Sequence, residues 1–226
     1  PEEDFEKHVK NMYIDIAAEF GAPLEVANDG DVTARAGAID LNDNGVLGIA
    51  MGTSEAVGYI NKDGGINGWL SELAFVPVDF NEGAMADEWS GDVGVGCKYF
   101  SQDAVIKLAE AGGYRFKEGA TPAEKLKEIQ ALMEKDDPLA RQIYEDIGVY
   151  LAYTLPFYAK FYDMKHVLLL GRVMGGKGGN ILLDSCKKVL EKEYPEFAKL
   201  DISLPDEKNR RVGQSIAAAS LPADIA

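Results

Sequence analysis

His166 to Leu170 reads His-Val-Leu-Leu-Leu, an apolar run that passes directly into a glycine-rich stretch, Gly171 to Gly178, and then into a helical pattern over about residues 181–193. An apolar run that short is a strand buried on both faces, and its passage through a glycine loop into a helix is the signature of a crossover in an α/β sheet. A second such unit stands earlier: Val46 to Met51 is an apolar strand, Gly52-Thr53-Ser54 a turn, and residues 56–60 a second strand. One part of the chain therefore makes a hairpin and another makes crossovers, which requires a mixed sheet flanked by helices.

The remaining pattern fits that frame. Phe5, Val9, Met12 and Ile16 at helical spacing predict a helix over residues 4–19, stopped at Gly21. Residues 23–27 read as a short strand ended by Asn28-Asp29-Gly30, and a helix follows over about 31–38. Glycine and aspartate crowd residues 80–96, read as a long loop with Trp89 pinned inside it. Further on, helices are marked by Val105, Leu108 and Ala109, and by Leu126, Ile129, Leu132 and Met133 after the Thr121-Pro122 start. Ile143, Ile147, Leu151 and Leu155 form the stripe of a long buried helix, which Pro156 is expected to kink. A strand over 201–204 and a helix over about 210–221 complete the order. Trp69 reads as a packing anchor, Tyr150, Tyr153, Tyr158 and Tyr162 as the lining of a helix against the sheet, and Cys186 as core.

Composition narrows the partners. With 23 Lys and Arg against 38 Asp and Glu the chain carries a net charge of -15, a surface that repels phosphate backbones and anionic lipid. No apolar run approaches the roughly 20 residues of a membrane span. Cys97 and Cys186 lie far apart, and with only His8 and His166 beside them they offer too few ligands for structural zinc. A reducing cytoplasm is the simplest setting. The chain opens on Pro1, without methionine, and enters a helical pattern at once, as a piece cut from something longer does.

Three glycine-bearing turns follow strands, where α/β sheets place ligands. In Val26-Ala27-Asn28-Asp29-Gly30-Asp31 the acid is either a plain helix cap or a general base aimed into a cleft, with Asn28 beside it. In Gly52-Thr53-Ser54 backbone N–H groups and two hydroxyls either cradle phosphate or close an ordinary hairpin. Gly171 to Gly178 nearly spells the phosphate loop G-x-x-x-x-G-K-[ST], but Gly178 replaces the hydroxyl residue that holds magnesium. Glycines that let a nucleotide's base or ribose approach the backbone fit it better.

The order of these turns, followed between the second and third by Gly64, Gly68 and Glu72, resembles the ROK family of sugar kinases and regulators, within the actin-like ATPase superfamily. The resemblance spans residues 1–226 and implies the C-terminal, sugar- and nucleotide-binding lobe of a ribonuclease H-like, actin-like fold. The family's opening Asp-x-Gly-Gly-Thr turn, and with it the first lobe, is absent from the chain. By resemblance Asp29 is the catalytic base, and Asn28 and Glu72 contact the sugar. Gly52, Thr53 and Ser54 form the second phosphate turn, and Gly171, Gly175 and Gly176 lie beside adenosine. The family's histidine, a sugar contact and zinc ligand, falls on Phe75; its cysteine cluster shrinks to Cys97; its second sugar glutamate falls on Tyr99.

The resemblance thus implies an intact protein that uses ATP and Mg2+, without zinc, to phosphorylate a sugar or sugar-like hydroxyl, this lobe alone being inactive. The alternative it implies is the effector domain of a sugar-sensing regulator, which would meet nucleic acid only through an N-terminal helix-turn-helix. A homo-oligomer is compatible with either, and a membrane partner with neither.

Overall fold

The computed structural model describes residues 1–67, 69–205 and 215–221. Its sheet has four strands, β1 (Val46–Met51), β2 (Glu55–Ile60), β3 (His166–Leu170) and β4 (Asp201–Ser203), in the order β2-β1-β3-β4. β2 runs antiparallel to β1, with Val46 opposite Ile60 and Met51 opposite Glu55. β3 lies parallel to β1 and β4 parallel to β3. The mixed sheet with flanking helices is the architecture that the strand pattern requires.

Strand alternation assigns the two faces. Leu47, Ile49 and Met51 share a core with Val57, Tyr59, Val167 and Leu169 beneath α4 (Gln102–Ala111), α5 (Pro122–Met133), α6 (Pro138–Tyr158) and α7 (Gly176–Glu193). The other face is thinner: Val46, Ile60, Leu168 and Leu170 pack with Ala34 and Ala38 of α3 (Asp29–Leu41). Small residues let α3 lie close. A Cβ on Gly58 would overlap the carbonyl of Gly30.

Local chemistry starts the helices. Thr121 and Glu124 form a capping box at α5, and the Asp137 carboxylate accepts from the backbone N–H groups of Leu139 and Ala140 at α6. The stripe of Ile143, Ile147, Leu151 and Leu155 is buried as its spacing predicts. Pro156 stands in the last turn of α6, two residues before its end at Tyr158. Tyr158 and Tyr162 are buried, whereas Tyr153 is exposed.

Four expectations need correction. The single helix over 4–19 is two, α1 (Glu2–His8) and α2 (Met12–Phe20), and neither buries a residue. Their apolar positions have no surface to pack on, and Asn11 starts the second helix afresh. Residues 23–27 form no strand, because propensity without a partner strand leaves the backbone unpaired. Trp89 is 85% exposed rather than pinned; its ring leans on Phe75, centroids 5.8 Å apart. Trp69 is exposed as well. Of the helix over 210–221, residues 215–220 are helical; Arg210, Arg211 and Val212 lie outside the described residues, as does Gly68. This last helix docks on α3: Ala217 and Leu221 are buried, and Arg35 Nε donates to Ser220 Oγ at 2.8 Å.

Candidate functional site

The α3 start separates two carboxylates. Asn28 is the N-cap, its Oδ1 accepting from Gly30 N–H at 2.8 Å. Asp31 is buried and accepts from Tyr59 N–H at 3.1 Å, and burial pushes its carboxyl above the ordinary aspartate range. Asp31 thereby ties α3 to the edge strand β2. Asp29, first residue of the helix, is exposed, and its carboxylate forms no hydrogen bond or ion pair among the described residues. The cap is therefore Asn28, and the Asp29 carboxylate stays open to a proton donor.

The turn after β1 meets the loop after β3. Gly52 N–H donates to Ser54 C=O at 3.0 Å, and Gln102 N–H, at the start of α4, donates to Gly52 C=O at 2.9 Å. Gly171 has φ 101°, and a Cβ there would overlap the Met51 backbone, so only glycine allows the two strand ends to approach. Across this junction Arg172 Nη2 donates to Thr53 Oγ1 at 2.7 Å. Thr53 and Ser54 are exposed at the C-terminal end of two adjacent strands, where open α/β sheets bind ligands.

Gly175 and Gly176 lead into α7, whose first turn is already engaged. The Glu134 carboxylate accepts from Lys177 N–H at 2.9 Å, and Lys177 Nζ bonds both oxygens of Asp136 at 3.1 Å. The lysine of the near-phosphate-loop is thus held by the α5–α6 connection. Gly178 has a packing reason, since a Cβ there would overlap the Tyr144 ring of α6.

Glu72 sits elsewhere. With Trp69, Leu70, Leu73, Val76, Phe157, Tyr158, Phe161 and Tyr162 it lines a pocket of about 370 Å³. Its neighbour Leu73 packs in the core of Val57 and Tyr59, the β2 face turned away from α3. Gly52, Thr53, Ser54 and Gly171 therefore come together, with Asn28 and Asp29 over one face of β2 and Glu72 against the other. Tyr99 is buried, its hydroxyl donating to Asp79 Oδ2 at 2.7 Å and accepting from Met85 N–H at 3.0 Å, which pins the loop below it. Burial pushes the Cys97 thiol up to about 11. Among the described residues no group of three His, Cys, Asp or Glu side chains could hold a metal ion.

The motifs pass over two residues. Arg172 joins the turns only through a contact 119 positions away. Glu55 is wholly buried, neither carboxyl oxygen has a hydrogen-bond partner among the described residues, and burial pushes it up to about 8. An acid at the leading end of an otherwise apolar strand is its only sequence signal.

Structural comparison places this arrangement among solved proteins. A ROK hexokinase from Thermus thermophilus superposes with a TM-score of 0.70 at 17% identity, over 94% of this chain and 70% of that one. A ROK family glucokinase from Streptomyces griseus, solved with glucose and AMPPNP, gives 0.67 at 17%, over 92% and 72%. The fold is that of the ROK proteins. A ROK family transcriptional regulator, a homologue of the E. coli MLC protein, matches at 0.68 and 17%, over 93% of this chain and 55% of that one. The ROK fold is thus shared by kinases and a regulator at equal identity. No family model and no curated protein matches the chain. No helix among the described residues is long and apolar enough to cross a membrane.

Proposed function

We propose that the intact protein transfers a phosphoryl group from ATP to a hydroxyl of a sugar or sugar-like compound, and that residues 1–226 are the C-terminal lobe of that kinase. The observation that carries the reading is Asp29: an exposed carboxylate at the first turn of α3, left unbonded while Asn28 caps the helix and Asp31 anchors it. In this reading Asp29 accepts the proton of the attacking hydroxyl, and the Asn28 side-chain amide orients it. Thr53 and Ser54 hold phosphate oxygens beside Gly52, whose N–H closes the turn on Ser54 C=O and whose missing side chain leaves room for them, and Gly171, Gly175 and Gly176 flank the nucleoside. The exposed hydroxyls of Thr53 and Ser54 and the open side of Gly52, where a Cβ would meet nothing nearer than 3.8 Å, suit a phosphate. Magnesium bound mainly by phosphates and water needs no carboxylate cluster, so the residues present fit ATP with Mg2+. When bound, they supply the phosphoryl group and neutralise its charge. Glu72 lines the pocket with Trp69, Phe157 and Tyr162, and the sugar contact given to it comes from the resemblance.

A second reading, the effector domain of a sugar-sensing regulator, is favoured by the regulator among the structural neighbours and by Phe75 and Tyr99 at two sugar-contact positions. A panel of sugars and polyols offered with ATP to the full-length protein separates the two. Sugar-dependent ADP release from at least one acceptor is expected; sugar binding with no ADP release from any would favour the regulator.

A further inference from the structure

We propose that Arg172 is an anion-binding residue of the phosphate turn, holding an oxyanion of the nucleotide's phosphate chain together with Thr53. Its backbone is fixed: Gln130 Nε2 donates to its carbonyl at 2.7 Å, and the next two residues, Val173 and Met174, are buried. Its side chain is exposed and reaches over the turn to Thr53 Oγ1 at 2.7 Å.

The position of the charge is what points to a ligand. Lys98, Lys165 and Lys177 pair with carboxylates, and other basic side chains lie on the surface away from the turn, whereas Arg172 reaches across the junction of two strand ends to an exposed hydroxyl. Among the described residues Arg172 forms no ion pair, and its guanidinium rests on a neutral hydroxyl. A guanidinium carries five N–H donors in a planar fork suited to phosphate oxygens, and a hydroxyl satisfies only one of them. The α4 N-terminus does not compete for the anion, because Gln102 N–H is spent on Gly52 C=O, holding the turn in place. The turn therefore presents a fixed cation and an adjacent hydroxyl on one exposed edge.

The identification of the anion as nucleotide phosphate rests on the kinase reading. It is tested by titrating ADP with Mg2+, and separately inorganic pyrophosphate, into the full-length protein by calorimetry. Arg172→Ala and Arg172→Gln are compared with the wild type. Glutamine keeps a donor for Thr53 but no charge. Both Arg172 variants are expected to bind ADP about ten- to a hundredfold more weakly at unchanged melting temperature. Raising the salt concentration should weaken the wild type more steeply than Arg172→Gln. Equal ADP affinity and salt dependence in wild type and Arg172→Gln would overturn the role of Arg172 while leaving the kinase reading intact. A wild type that binds neither ADP nor pyrophosphate overturns both.

Discussion

At the scale of single residues, the chemistry of the fold depends on which polar groups are left without partners. Asp31, Asp79 and Tyr99 are bonded and structural; Asn28 caps α3 through Oδ1, Asp29 is open and Glu55 is buried alone. Glu55 makes stability depend on pH. Its folded-state value of about 8 lies above the ordinary 4.5, so the native protein holds a proton that the unfolded chain has released. That contribution is complete below pH 4.5 and is lost as pH rises toward 8, at up to about 1.4 kcal/mol per pH unit. Cys97 and Tyr158, which sense its charge, stay protonated through this window. Glu55→Gln keeps the shape without the titration. Urea midpoints at pH 5 and pH 8 are expected to fall less in the variant than in the wild type, and parallel losses in the two would contradict this.

The same scale shows what a sequence conceals. The Asn28–Gly30 segment that opens α3 and the Gly52–Ser54 turn were legible as chain reversals because each signature is local; the roles given to their side chains come from the resemblance. Arg172 was not, since its partner lies on another strand end, and Glu55 was not, since alternation alone gives no sign of which face of β2 is inside. Zinc belongs here too. Phe75 and a buried, protonated Cys97 leave a tetrahedral site short of ligands, so elemental analysis of the purified protein should find less than a stoichiometric equivalent. A full equivalent of tightly held zinc would refute that.

At the scale of elements, glycines divide by purpose. Gly178 of α7 lies against Tyr144 of α6, so Gly178→Ala must displace a buried ring and is expected to cost about 1–3 kcal/mol. A Cβ on Gly52 would meet only Ser54 C=O, at 3.8 Å, so Gly52→Ala should leave the melting temperature nearly unchanged while crowding the phosphate and weakening nucleotide binding. Calorimetric scans of the two variants decide the matter; equal destabilisation would mean that the turn too is held by packing. The apolar strands β1 and β3 and the α6 stripe were readable because burial repeats with their own period. Residues 23–27 were misread because a strand needs a neighbour as well as a propensity. The glycine-rich segment was readable as a loop into a helix, but the packing of α7 on α6 that requires its glycines was not.

At the scale of the whole molecule, α1, α2 and the link between them bury nothing and expose Phe5, Val9, Met12, Tyr13, Ile14, Ile16 and Phe20. Apolar surface of that extent favours association, against the repulsion of a net charge of -15. Light scattering on residues 1–226 in moderate salt is expected to show species larger than a monomer, and on residues 27–226 a monomer of equal thermal stability. A monomer in both forms would remove the surface as an interface. The last helix is better covered, since Ala217 and Leu221 pack inward beside α3.

The whole account turns on Asp29 as the group that takes a proton from the acceptor hydroxyl. The direct measurement is the rate of phosphoryl transfer by the full-length protein and its Asp29→Asn variant, on the best acceptor of the sugar panel. Because the Asp29 carboxylate bonds to no described residue, the variant should fold, melt and bind ADP as the wild type does. Turnover is predicted to fall by about two to four powers of ten. Unchanged turnover in a folded Asp29→Asn protein would contradict the assignment of the base and the reading built on it.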